Sequence, residues 1–203
     1  MKHKLLFVAF ILFFFASKAQ NVIAVQNGSS VNFFTNLDSA FNACQNGDTV
    51  YIPGGSYNHS VQIQKRIHII GAGALIDSNV ATGNTILTNI LYFLGGSSWS
   101  SIEGLSLVSP LYFGTSTNTN AITNFSISRC YLQSGVTMYS PCSSFSIRQN
   151  IIAKNGNNNN FSFLTYASPA IAYSSIDNNI ILGFIPGSNN FFSNNIFLQY
   201  FCW

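Results

Sequence analysis

The chain has 203 residues, of which 47% are hydrophobic and only 6% are charged, with a formal net charge of +3. This hydrophobic content is too high for a disordered chain, and the length suits one domain with a substantial core. Three of the eight basic residues lie within the first 18 positions, so the remainder carries five basic and five acidic residues. We therefore expect no basic surface for nucleic acid.

The N-terminus has the three parts of a secretory signal peptide. A basic start is followed by an apolar run over residues 5–16 and by the small residues Ser17 and Ala19. The run is shorter than the roughly 20 apolar residues that span a membrane. We expect a signal peptide of residues 1–19, no membrane span, and a secreted or cell-surface domain of residues 20–203.

One amphipathic helix is predicted near the start of the exported part. Asn36 is a suitable N-cap, an apolar stripe at helical spacing runs from Leu37 to Cys44, and Gly47 ends the helix. A single helix before a repeat array is typical of an end cap. Short alternating segments predict strands over residues 21–26, 48–52, 61–63 and 67–70.

Five copies of one pattern occupy the second half of the chain. Each has an apolar residue, two variable residues, a Leu, Cys or Asn, one variable residue and another apolar residue. Stacked repeats with parallel strands place equivalent residues above one another at about 4.8 Å. We expect an inward column of the isoleucines and an inward ladder of the amides. The copies begin at Ile102, Ile127, Ile147, Ile176 and Phe192, and the ladder residues are Asn150, Asn179 and Asn195.

Residues 37–73 resemble the start of right-handed parallel β-helix proteins of the pectin-lyase-like superfamily. The features that carry the resemblance are the cap helix, the Gly-Asp-Thr-Val strand from Gly47, the Pro-Gly-Gly-Ser-Tyr turn from Pro53 and the Ile-Gly-Ala-Gly segment from Ile70. The resemblance implies an all-β fold, a right-handed parallel β-helix (solenoid) with a short N-terminal capping helix. The superfamily contains lyases, hydrolases, epimerases and adhesins, so the resemblance is informative about fold rather than function.

Alignment of the repeats places five polar residues in one outward row: Glu103, Ser128, Arg148, Asp177 and Ser193. Arg148 and Asp177 are then close enough to pair, either within a small site for an extended glycan or as a surface ion pair worth ~0–1 kcal/mol. No second acid lies beside Asp177 to complete a cation site. We therefore assign no metal, no cofactor and no catalytic residue.

Four tyrosines are candidates for a strip on which sugar rings stack: Tyr92, Tyr112, Tyr131 and Tyr139. Tyr131 alone has an outward position in the repeat pattern, so it joins Glu103, Arg148 and Asp177 as a candidate ligand contact.

The four cysteines permit two disulfides with three connectivities. Cys44 and Cys130 occupy core positions, which favours buried free thiols. No cysteine and histidine spacing indicates a zinc site.

The last residues, 196–203, form an apolar strand without a polar cap. This end predicts a chain that is incomplete at its C-terminus and that self-associates through its last repeat, unless residues 200–203 fold back as a plug. The expected function is a non-catalytic secreted or cell-surface scaffold in adhesion or glycan binding. The alternative is a carbohydrate-active enzyme, a polysaccharide lyase or glycoside hydrolase. Five scattered acidic residues offer few candidates for the grouped carboxylates that these mechanisms use.

Overall fold

A computed structural model describes residues 22–74, 83–153, 163–166, 171–183 and 189–198. Within these ranges the chain forms one helix and 23 strands, most of them in parallel sheets, so the prediction of an all-β fold is confirmed. The predictions made for residues 1–21 and 199–203 lie outside the described residues.

Helix α1 spans Leu37–Ala43 and begins where the sequence predicts. The Asn36 side-chain oxygen accepts a hydrogen bond from the backbone N–H three residues later, at 3.0 Å, and so satisfies a donor of the first turn. Its apolar stripe is buried against the core. No helix among the described residues has the length and apolar character needed to cross a bilayer.

The helix ends earlier than predicted, at Ala43 rather than at Gly47, and Cys44 occupies the C-cap position with extended backbone. The carboxylate of Asp48 accepts a hydrogen bond from the Gln45 N–H at 2.8 Å, which closes a turn directly behind the helix. Gly47 lies in this turn with a φ of +96°, a conformation that favours glycine.

The described strands form four sheets. The nine-stranded sheet contains, in chain order, β1 (Ile23–Asn27), β2 (Ser30–Phe34), β3 (Asp48–Ile52), β5 (Ile67–Gly71), β8 (Ser101–Glu103), β12 (Ser126–Ser128), β16 (Ser146–Arg148), β20 (Ser175–Asp177) and β22 (Phe191–Ser193). The seven-stranded sheet contains β4 (Gly55–Tyr57), β6 (Thr85–Leu87), β9 (Leu105–Leu107), β13 (Tyr131–Leu132), β17 (Ile151–Ile152), β21 (Ile180–Ile181) and β23 (Ile196–Phe197).

Two smaller sheets complete the set. The four-stranded sheet contains β7 (Leu91–Phe93), β10 (Leu111–Phe113), β14 (Val136–Met138) and β18 (Phe163–Thr165). The three-stranded sheet contains β11 (Ile122–Thr123), β15 (Cys142–Ser143) and β19 (Ile171–Ala172).

From β8 to β21 the chain visits the sheets in a cyclic order: nine-stranded, seven-stranded, four-stranded, three-stranded, then nine-stranded again. Each of these strands pairs in parallel with its equivalent one cycle away. The exceptions lie at the N-terminal end, where β1 pairs antiparallel with both β2 and β3. Buried side chains from α1 and from all four sheets form one common core.

The inward isoleucine column is confirmed. Ile102, Ile127, Ile147 and Ile176 are direct partners in the register of the nine-stranded sheet, and each is fully buried. Phe192 continues the column on β22 but is 46% exposed, because no described residue covers that end of the sheet.

Residues 61–63 do not form the predicted strand, since Ile63 makes only an isolated parallel bridge. The Asp38 carboxylate of α1 accepts hydrogen bonds from the N–H groups of Ser60 and Val61, at 2.7 and 3.3 Å. These backbone donors are therefore held by a side chain of the cap helix rather than by a neighbouring strand.

The expectation of buried free thiols is confirmed for Cys44 and Cys130, and Cys142 is also free and buried. Burial raises the pKa of Cys44 to about 11 and that of Cys130 to about 12, and it also raises the pKa of Cys142. Thiols with such pKa values are protonated at neutral pH and are therefore poor nucleophiles. Cys202 lies outside the described residues.

His59 is buried beneath α1, and no described residue makes a hydrogen bond to either of its ring nitrogens. Its ring packs edge-on against Phe41 of α1, with 5.9 Å between ring centroids. Burial lowers the pKa of His59, and this effect outweighs the Asp38 charge and the Asn89 backbone, which both favour the charged ring.

The free energy of unfolding should consequently fall as the pH drops below about 6.5. The folded pKa lies below the unfolded value, so the unfolded chain binds the proton more readily and acid favours unfolding. Circular dichroism gives the melting temperature at about pH 8 and at about pH 5.5. The drop in melting temperature between these pH values should be smaller in His59→Phe than in the native chain. An equal difference in both proteins would assign the pH dependence to other groups.

Candidate functional site

The outward polar row lies in register on the nine-stranded sheet. Its five members are direct partners on successive parallel strands: Glu103, Ser128, Arg148, Asp177 and Ser193. The row lines a solvent-open cleft with a volume of about 560 Å³. Because its lining follows five successive strands about 4.8 Å apart, the cleft runs along the stack.

Three further residues line this cleft and were not predicted: Arg129, Gln149 and Asn178. Each directly follows a member of the row and has a positive φ, of +53°, +58° and +56° respectively. The left-handed conformation turns the chain from the nine-stranded to the seven-stranded sheet. The sequence signal was Gly104, which has a φ of +66° at the same repeat position, since glycine commonly marks such a conformation.

Glu103 forms an ion pair with Arg129, which follows its register partner on the next strand. The two side chains are 31% and 65% exposed, so the pair contributes only about 0–1 kcal/mol to stability. The main consequence of this ion pair for the cleft is that the Glu103 carboxylate is neutralised by Arg129.

The predicted ion pair between Arg148 and Asp177 does not form among the described residues. Instead, the hydroxyls of Ser175 and Ser193 donate to the two oxygens of the Asp177 carboxylate. These hydrogen bonds, with a smaller effect from the Arg148 charge, lower the pKa of Asp177 against the opposing effect of burial. Asp177 is therefore ionised at neutral pH and satisfied by its serine neighbours.

Arg148 is left as the unpaired cation of the cleft. Its side chain is exposed and makes no hydrogen bond or ion pair with any described residue. The hydroxyl of Ser128 lies on one side of it and Asp177 on the other, in register. Its guanidinium is thus available to an anionic group that enters the cleft.

The two acids of the cleft are poorly placed for hydrolysis. Glu103 and Asp177 are three strand spacings apart, about 14 Å at 4.8 Å each. Glycoside hydrolases hold their two carboxyl groups roughly 5–9.5 Å apart. Among the described residues, no three His, Cys, Asp or Glu side chains are grouped to hold a metal ion.

The structure brings together three of the four tyrosines considered for a sugar-stacking strip. Tyr92 and Tyr112 are register partners with ring centroids 5.0 Å apart, and Tyr139 follows at 6.0 Å. Tyr166 extends the group, stacked on Tyr139 at 4.6 Å, and was not predicted. Tyr131 lies elsewhere, on the seven-stranded sheet.

The rings of this group pack mainly against one another. The angle between ring planes is 65° for Tyr92 and Tyr112, 88° for Tyr112 and Tyr139, and 11° for Tyr139 and Tyr166. Faces that would receive sugar rings are consequently used in contacts between tyrosines. Tyr166, which is 60% exposed, has the most accessible ring. The group is therefore a weaker candidate for ligand binding than the cleft.

The three amides of the predicted ladder lie directly behind the cleft. The Oδ1 atoms of Asn150, Asn179 and Asn195 accept hydrogen bonds from the backbone N–H of the equivalent residue one repeat earlier, at 2.9–3.0 Å. Each Nδ2 donates to a carbonyl of the isoleucine column, at 2.6–3.0 Å. The ladder thus holds the bend from which the cleft residues Arg129, Gln149 and Asn178 project.

Neither a protein-family model, nor a curated protein, nor a solved structure matches this chain significantly. Its functional assignment therefore depends on the fold and on the geometry of the cleft.

Proposed function

We propose that the chain is a right-handed parallel β-helix of the pectin-lyase-like kind, secreted or displayed at the cell surface. The cyclic order of the four sheets and the direct register of equivalent strands support this architecture. Right-handedness is expected because crossover connections between parallel strands have this hand almost without exception. The leader-like segment at residues 1–19 supports export.

We further propose that this scaffold is non-catalytic and binds an extended acidic glycan in the cleft, with adhesion as its role. The observation that carries the proposal is the state of Arg148, which is exposed and unpaired while both acids of the cleft are engaged. A guanidinium recognises a carboxylate or sulfate through two parallel hydrogen bonds. Ser128, Gln149 and Asn178 supply neutral donors and acceptors for sugar hydroxyls.

Arg148→Gln should weaken binding to polygalacturonate at least tenfold, a loss of about 1.4 kcal/mol, because the charge-assisted hydrogen bonds to the carboxylate are lost. Isothermal titration calorimetry at low and high salt measures the effect, and added salt should weaken the native interaction. The matched control is Arg66→Gln, which removes the same charge outside the cleft and should bind normally. Equal losses in both variants would mean that net charge, not the cleft, is responsible.

The alternative is a polysaccharide lyase that contacts its substrate through Arg148, whose side chain has no partner among the described residues. Incubation with polygalacturonate, with and without calcium, distinguishes the two functions. We expect no unsaturated product under either condition. A product that forms with the native chain and not with Arg148→Gln would establish the lyase instead.

A further inference from the structure

Both ends of the nine-stranded sheet are strand edges without a partner among the described residues. β2 pairs with β1 on one side, and β22 pairs with β20 on one side. The other side of each strand presents backbone N–H and C=O groups that a further strand can complete.

The two edges share a short sequence. The tripeptide Asn-Phe-Phe occurs at residues 32–34 and again at residues 190–192. In both, the first phenylalanine points to the outer face of the sheet: Phe33 is 70% exposed and Phe191 is 72% exposed.

The second phenylalanine of each tripeptide points to the inner face. Phe34 is the register partner of the buried Ile23 and packs against the core. Phe192 is the register partner of the buried Ile176 and is 46% exposed. The two phenylalanines thus point to the outer and inner faces in the same order at both edges. The column of direct partners from Phe192 through the sheet ends at Asn32, two residues before Phe34.

The two edge strands also run in the same direction. β1 is antiparallel to both β2 and β3, so the two reversals leave β2 parallel to β3. From β3 through β22 every pair in this sheet is parallel. A copy displaced along the stack thus offers its β2 to the β22 of the preceding copy as another parallel neighbour.

Neither edge strand contains a charged residue or a proline, which are two of the features that usually prevent such pairing. Natural edge strands are commonly protected by charged side chains or proline. β2 reads Ser-Val-Asn-Phe-Phe and β22 reads Phe-Phe-Ser, without a charge or a proline. Val31 adds further exposed apolar surface to the β2 edge, at 46%.

We propose that copies of this chain associate end to end, with β22 of one copy pairing in parallel with β2 of the next. With β2 shifted by two residues from the column of direct partners, Phe191 lies beside Phe33 on the outer face, and Phe192 lies beside Phe34 on the inner face. The two surfaces in the contact are different, so the contact does not close on itself and continues into linear arrays. This assembly is independent of glycan binding in the cleft.

Sedimentation velocity of the purified exported chain over a concentration series tests the proposal. We expect a mass that keeps rising beyond the dimer as the concentration increases. Phe33→Lys and Phe191→Lys should each stop the assembly, because each places a charge on one edge. Val108→Lys, which adds the same charge at an exposed position away from both edges, should assemble like the native chain.

A mixture of the two edge variants gives the most specific result. The Phe33→Lys chain keeps an intact β22 edge, and the Phe191→Lys chain keeps an intact β2 edge. Each should be monomeric alone, and together they should form a 1:1 dimer that grows no further. Circular dichroism of each variant confirms that the sheet content is retained.

Three outcomes would overturn the proposal. A native chain that stays monomeric at every concentration would show that the β22 edge is covered, for example by residues 199–203. A dimer that Phe33→Lys leaves intact would show a symmetric contact between two C-terminal edges. Folded single variants that fail to combine when mixed would exclude the pairing of β2 with β22.

Discussion

Replacing Asn179 with leucine should lower the free energy of unfolding by about 2–4 kcal/mol. The amide of Asn179 accepts from the Asn150 backbone and side chain and donates to the Ile147 carbonyl and to Asn195. Leucine has the same branched arrangement of heavy atoms but makes none of these bonds. Since the site is 1% exposed, water does not replace them, so the Asn150 N–H loses its partner and the Ile147 carbonyl loses a donor.

Urea denaturation followed by circular dichroism measures this loss as a lower midpoint. Asn42→Leu is the matched control, because it makes the same chemical change at an exposed position of α1 and should leave the midpoint nearly unchanged. If the two variants unfolded at the same urea concentration, the amide ladder would not contribute to stability.

Phe113→Ala should also lower the free energy of unfolding, by about 3–5 kcal/mol. Phe113 is fully buried at the centre of an aromatic cluster, and its ring centroid lies 6.0 Å from that of Phe93, 4.9 Å from that of Phe125 and 5.0 Å from that of Phe145. Truncation removes a large apolar area and leaves a cavity among rings from the four-stranded sheet and from the turns that precede β12 and β16, so the surroundings cannot collapse easily.

Phe113→Leu is the comparison for this prediction, because it keeps most of the volume and should cost roughly 1.5 kcal/mol or less. The difference between the two midpoints in urea reports the contribution of the cavity. Equal losses for alanine and leucine would attribute the effect to the aromatic contacts rather than to the lost volume.

The repeat pattern predicted the register of the sheet because burial constrains it. A slip by one residue would move Ile127, Ile147 and Ile176 from the core to solvent, so their spacing in the sequence determines which residues are neighbours. The placement of the outward row and of the amides follows from the same register. These features needed no information beyond the sequence.

The interactions within the cleft were harder to predict, since they depend on competition between neighbours. Asp177 has Ser175 on its own strand and Ser193 on the next, and their hydroxyls occupy the oxygens expected to bind Arg148. Arg129 lines the cleft because its backbone is left-handed, a conformation that an arginine in the sequence does not predict. Side-chain partners of this kind are decided by geometry within a few ångströms.

The N-terminal hairpin also has a sequence signal. Gly28 and Ser29 form the two-residue loop between β1 and β2, a pair typical of tight hairpins, and Gly28 has a φ of +57°. The resemblance to β-helix proteins favoured parallel strands alone. The hairpin shows that local turn chemistry can add an antiparallel pair at the end of a parallel sheet.

The cleft is built from one or two residues of each repeat, and this construction affects how such a protein can change over generations. Duplication of a repeat would add one strand to each sheet it crosses, and it would lengthen the cleft by about 4.8 Å without altering the existing contacts. A substitution at the outward position would change a single point along the cleft. Under the proposed glycan binding, the length of the bound polymer and the identity of its charged groups could therefore evolve separately.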